Sequence, residues 1–245
     1  MLSCYDLEYK DNLYLDLHLP ESESFDLFVY FHGGGLCGGS RKGVEVFAEG
    51  LAKNNIATAS VEYRMYPEAK FPDFIVDGAD AVSWLKNNIS KWGKCTRVFV
   101  GGSSAGGYIS MMLCFDNRFL RAVGIEPTDI DGYIHDAGQP TSHFNVLNEL
   151  GKDRRRIIVD ETAPMYFVGT NNKYSPMLFI VSDDDMFGRY EQTMLMINVL
   201  NHFGHKENVF LNIQNGRHCE YVDKKDEKGE SVFANLIIPF IDIVR

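Results

Sequence analysis

Five residues, Gly102-Ser103-Ser104-Ala105-Gly106, set a serine at the centre of a G-x-S-x-G pattern. An apolar run (Val98, Phe99, Val100) precedes them, and a second (Ile109, Met111, Met112, Leu113) follows. A strand, a very tight turn and a helix are predicted in that order. Such a turn holds a serine hydroxyl above the edge of a sheet, in a strained backbone conformation. Side chains two positions before and two after the serine would collide with neighbouring elements, and glycine at 102 and 106 removes them. The N–H of Ala105 then lies at a helix N-terminus, where negative charge is stabilised. The chemistry this allows is nucleophilic attack by Ser104 on a carbonyl.

A serine is a weak nucleophile and needs a base, an orienting acid and an oxyanion site. Among the seven histidines, His218 lies in Asn215-Gly-Arg-His218, just past the last predicted strand. That is the strand end where sites assemble in an open parallel sheet. His202 and His205 fall near a helix C-terminus, and His32 belongs to His32-Gly33-Gly34-Gly35. The three glycines of that run let backbone N–H groups line a concavity, which suits an oxyanion hole. A phosphate loop is disfavoured, because no Lys-Ser/Thr or G-x-G-x-x-G completes it. For the acid, the run Ser182-Asp183-Asp184-Asp185 offers three carboxylates, and spacing alone does not choose among them. Like charges and desolvation forbid burying all three together.

The elements that must position these residues alternate along the chain. Strands are predicted at 13–19, 25–31, 57–61, 97–100, 122–125, 177–181 and 208–213; helices at 45–53, 72–89, 189–203 and 232–244. Strands alternating with helices imply an α/β fold with a mostly parallel sheet covered on both faces. Residues 126–175 break the rhythm: they are polar and irregular, with a helical patch at 144–150. They read as a small cap insertion in a single domain spanning 1–245. Within it, Asp131, Tyr133, His135, Asp136, Gln139, His143 and Asn145 suggest a polar lining and therefore a short acyl group. Arg154-Arg155-Arg156 reads as a solvated face of the insertion, with docking of an acidic substrate group as its second reading.

Composition narrows the class. A chain of 245 residues with 45% hydrophobic content supports one well-cored domain. The net charge of −10 argues against a nucleic-acid groove or an anionic membrane surface. No apolar run approaches the ~20 residues of a membrane span. The N-terminal residues lack the basic and apolar regions of a signal peptide. Five scattered cysteines show no metal-ligand spacing and suit free thiols in a cytoplasmic setting. Cys219 reads as a buried inert thiol. No heptad or apolar stripe declares an oligomer interface.

With these residues in place, the chain resembles an α/β-hydrolase, specifically the short-chain carboxylesterases related to hormone-sensitive lipase. The resemblance covers roughly 25–125 and 176–222. Besides His32–Gly35 and the elbow, Val61-Glu-Tyr-Arg-Met-Tyr-Pro67 is similar to that group's tyrosine-arginine-x-x-proline segment, and Phe71-Pro72, Asp77 and Trp84-Leu85 to its next helix. The resemblance implies a Ser104–Asp185–His218 triad, since the group's aspartate falls nine residues after a strand-opening proline, here Pro176. It also implies oxyanion donors at Gly34, Gly35 and Ala105, and no metal or organic cofactor. Larger members carry an N-terminal cap, whereas here about 25 residues precede the first glycine-motif strand. The expected function is hydrolysis of short acyl esters through an acyl-enzyme. A carbohydrate esterase acting on acetyl xylan or feruloyl groups is the alternative. An arylformamidase, a peptidase and a non-catalytic binding protein rank below it.

Overall fold

The structure is a computed structural model, and it describes residues 1–244. The elements follow in the order β1 (Leu2–Lys10), β2 (Leu13–Leu19), β3 (Ser24–Phe31), α1 (Glu45–Ala52), β4 (Ile56–Val61), α2 (Asp73–Asn88) and β5 (Lys94–Ser103). Then come α3 (Ala105–Phe115), α4 (Asn117–Ala122), β6 (Gly132–Asp136), α5 (Phe144–Glu149), β7 (Met177–Asp184), α6 (Arg189–His202), β8 (Val209–Arg217) and α7 (Val232–Ile243). Among the described residues the strands form one sheet in the order β1-β2-β4-β3-β5-β6-β7-β8. The first two pairings, β1 with β2 and β2 with β4, are antiparallel. From β4 to β8 every pairing is parallel.

Strand β3 shows why the middle of the sheet reads as continuous apolar sequence. Leu27, Val29 and Phe31 enter one core with Ile75, Val82 and Leu85 of α2 and Ile109 and Met112 of α3. Phe28 and Tyr30 point the other way, against Phe47 and Leu51 of α1 and Phe233 and Ile237 of α7. A strand with helices on both faces must be apolar at every position, so its period-2 signal vanishes. Helix α3 is buried along its whole length. It runs through the larger core directly behind the elbow, so Ser104 rests on the most enclosed helix of the fold. Edge strand β8 alternates between half-buried and exposed positions instead.

Two sequence expectations need correction. No strand forms at 122–125; those residues are the end of α4 and the turn after it. The strand that belongs there is β6, which pairs with β5 and β7 inside the sheet. It falls inside the 126–175 segment, which the sequence pattern reads as insertion. Its polar residues His135 and Asp136 hid it, although both are buried. The irregular segment above the strand ends therefore begins after Asp136. Strand β1 was also unpredicted. It is an edge strand with one buried residue, Tyr9, so it carries neither a buried run nor clean alternation. Among the described residues no helix is long and apolar enough to cross a membrane.

Candidate active site

The turn between β5 and α3 holds Ser104 at φ 56° and ψ −110°. An L-residue adopts that conformation only when its surroundings impose it. The flanking glycines show the cause. A Cβ on Gly102 would stand 2.4 Å from the carbonyl oxygen of Phe31, and one on Gly106 would stand 1.9 Å from the same atom. The end of β3 thus passes through the space that side chains at 102 and 106 would fill. The Ser104 N–H donates to the carbonyl oxygen of Asp136 at 2.8 Å, which ties the elbow to β6.

Ser104, His218 and Asp185 stand in one hydrogen-bonded line. His218 Nε2 lies 2.8 Å from Ser104 Oγ, and His218 Nδ1 lies 2.5 Å from Asp185 Oδ1. His218 reaches this position from the loop after β8, and Asp185 from the end of β7. The Asp185 side chain is fully buried. Burial alone would raise its pKa. The hydrogen bond and charge of His218, together with the N–H groups of Met186 and Ser182, outweigh burial and hold the carboxyl below its ordinary value. Asp183 is exposed and instead accepts from the Gly216 N–H at 3.0 Å, bracing the β7–β8 ends. Ser103 is directed inward, with Oγ 2.5 Å from Asp136 Oδ2.

Gly34 and Gly35 follow β3 at φ 114° and 65°. Gly34 has no room for a side chain: its Cβ would sit 2.0 Å from the Gly38 oxygen. The loop's internal bonds run through the Gly34 carbonyl, which accepts from Cys37 and Gly38. The N–H groups of Gly34, Gly35 and Ala105 make no hydrogen bond among the described residues. The loop is fixed from behind by residues of the tyrosine-arginine segment. Tyr63 OH donates to the His32 carbonyl at 2.7 Å, and the two rings stack at 4.4 Å. Glu62 accepts from His32 Nε2 at 3.1 Å. Arg64 binds both oxygens of buried Asp77 at 2.8 Å. From above, Asn145 of α5 donates to the Gly35 carbonyl at 2.5 Å. That contact joins the cap segment to the glycine loop, and nothing in the spacing of Asn145 announced it.

A buried network beneath the elbow was also missed by sequence reasoning. Asp136 accepts from Ser103 and from the Tyr221 hydroxyl. Burial pushes its carboxyl up to about 6, against those two hydrogen bonds, which favour the ionised form. Its folded pKa lies above the unfolded value of 3.8. The stability it contributes is therefore complete below the unfolded value and is lost as pH rises through about 6. Asp136→Asn should flatten that dependence. Between about pH 4 and pH 7 the wild type should lose on the order of 3 kcal/mol of unfolding free energy relative to the variant. Urea titrations across that range measure it, and parallel pH profiles for the two proteins would contradict it.

Tyr133 and His135, expected to line a polar cap, are buried in the sheet with Asp136. Cys219 is half-buried, and burial pushes its thiol well above the ordinary range, so thiolate is scarce beside His218. Ser104 and His218 open into a cavity of about 620 Å³ walled by Gly33–Gly35, Val44, Phe47, Phe144, Met186 and Val222. Among the described residues no cluster of His, Cys, Asp or Glu side chains is arranged to hold a metal.

The sheet order, the strained serine at the β5–α3 turn and the residues gathered on it make this chain an α/β hydrolase by fold. Residues 28–135 match a family model described by the alpha/beta hydrolase fold. Sequence relatives of this chain include carboxylesterases. Probable carboxylesterase 6 of Arabidopsis thaliana is 34% identical over 128 residues, 46% of this chain and 38% of the relative. The 3-O-acetylpapaveroxine carboxylesterase CXE2 of Papaver somniferum is 32% identical over 155 residues, covering 57% and 46%. The chain spans less than half the length of either curated relative. Among solved structures, esterase B from Lactobacillus rhamnosis superposes with a TM-score of 0.81 at 16% identity, over 99% of this chain and 85% of that one. A truncated carbohydrate esterase from gut microbiota gives 0.78 at 19%, over 99% and 96%. At those identities the superpositions show the fold.

Proposed function

We propose that this protein is a serine hydrolase of carboxylic esters that works through an acyl-enzyme. The observation that carries the reading is the unbroken line from the Ser104 hydroxyl through His218 to buried Asp185. His218 takes the proton of Ser104 as the serine oxygen attacks the ester carbonyl. The N–H groups of Gly34, Gly35 and Ala105 receive the oxyanion. His218 then protonates the leaving alcohol, and water cleaves the acyl-enzyme by the same steps. Asp185 fixes the imidazole tautomer and stabilises its charged form. The carboxylesterase relatives agree with this chemistry.

The acyl group is proposed to be short. Bulky Phe144 and Met186 flank the cavity at Ser104, and Phe47, Val44 and Val222 wall it at moderate volume. A series of p-nitrophenyl esters tests this. Turnover should be greatest from acetyl to about butyryl, and an optimum at long chains would return the protein to a lipase-like reading. A carbohydrate ester is the second reading, favoured by Ser40, Lys42 and Asp223 on the cavity wall, which can bond to sugar hydroxyls. Faster acetyl release from acetylated xylan than from simple aryl acetates would select it.

A further inference from the structure

The arginine run of the cap segment does not face solvent alone. Arg154, Arg155 and Arg156 line a second cavity of about 710 Å³, together with Arg189 from the first turn of α6. Phe144 and Met186 line both this cavity and the one containing Ser104, so the two share a wall. Four arginines and one aspartate, Asp153, are the charged groups on this lining. Asp153 is already taken, since Arg155 binds both of its oxygens at 2.7–3.2 Å. Arg154 and Arg156 have no carboxylate partner among the described residues. The Arg154 guanidinium is held in place over the Phe144 ring, 5.0 Å from its centre.

Arg189 is the less ordinary member. It is 4% exposed. Its guanidinium donates to the Ala137 carbonyl and, at 3.4 Å, to Gln139 Oε1. Gln139 and Gln192 are themselves neutral and joined through Thr141. No carboxylate lies within ion-pair distance of Arg189 among the described residues. A buried guanidinium whose hydrogen-bond partners are all neutral has its charge offset only at longer range, here by Asp185, and a bound anion would complete the site. Burial accordingly lowers its pKa, with the nearby charge of Asp185 opposing that change. His143, also packed in this region, is buried and held well below its ordinary pKa, so it adds no competing charge. In a chain of net charge −10, this concentration of cations beside a reactive serine is a local reversal of sign.

We infer that the cavity lined by Arg154, Arg156 and Arg189 is an anion subsite, and that the ester substrate carries a carboxylate or similar anionic group that reaches past Phe144 and Met186 while its carbonyl lies at Ser104. The inference rests on the ester-hydrolase reading and names its substrate class. The anion can sit on the alcohol side or on the acyl side, and two substrate pairs separate these. One pair is 4-acetoxybenzoate against 4-acetoxybenzamide. The other is monoethyl succinate against ethyl succinamate. Each pair exchanges a carboxylate for a neutral amide of similar shape. In one pair the carboxylate member should have the higher kcat/KM, by about tenfold at low salt, as expected for a partly desolvated charge pair. That ratio should fall as sodium chloride is raised, and should collapse towards one in Arg154→Gln/Arg156→Gln. Both arginines are exposed, so the double variant keeps the fold. Equal or better turnover of the amide in both pairs overturns the subsite while leaving ester hydrolysis standing. So does a carboxylate preference that survives both salt and the double substitution. No turnover of any member, with no labelling of Ser104 by a fluorophosphonate, overturns both readings together.

Discussion

Ser104→Ala should remove ester turnover, lowering kcat by on the order of 10⁶, and should abolish labelling by a fluorophosphonate. The fold should survive, because alanine keeps the Cβ that the elbow already accommodates and loses only the hydroxyl facing His218. Circular dichroism and a thermal melt check the fold. Ser103→Ala is the matched control. Its hydroxyl is buried and donates to Asp136, so the variant should still label and should lose stability rather than chemistry. Labelling that persists in Ser104→Ala and disappears in Ser103→Ala would reverse the assignment of the nucleophile.

Asp185→Asn should lower kcat by on the order of 10⁴ with little change in KM. An amide in place of the carboxylate presents either a donor or a neutral acceptor to His218 Nδ1. The imidazole then loses both the partner that selects its tautomer and the charge that stabilises its protonated form. Asp183→Asn should cost far less, since that side chain only receives the Gly216 N–H at the rim. Single-turnover kinetics on the two variants make the comparison direct. Comparable losses in both would mean that the β7 end acts as a structural unit and that Asp185 has no particular role.

How much of this was open to reading depends on how local the determining physics is. The β5–turn–α3 segment was legible because its requirements are consecutive in the chain: an apolar strand, glycine on each side of a strained serine, and an apolar helix. Helix α2 was legible for a related reason, since its apolar residues recur on one face. The choice among Asp183, Asp184 and Asp185 was different. Counting from Pro176 pointed to Asp185 only through resemblance, because three adjacent carboxylates have the same local sequence character. The structure distinguishes them by which way each faces as β7 ends: Asp185 turns inward to His218, and Asp183 outward to Gly216.

Strand β6 was illegible for the opposite reason. A short strand between two others on a two-sided core can carry His135 and Asp136 when neighbours bond to them, and those neighbours, Ser110, Ser103 and Tyr221, are distant in sequence. Residue type and spacing by themselves determined the α/β alternation, the elbow and the candidate serine and histidine, because backbone sterics and burial act over a few residues. Tertiary structure alone decided which aspartate meets His218, that Asn145 and Tyr63 brace the glycine loop, and that the arginine run lines a cavity beside Ser104. Each of these depends on the direction of a side chain across a gap between elements. That direction is set by packing among segments far apart in the chain, which no local pattern records.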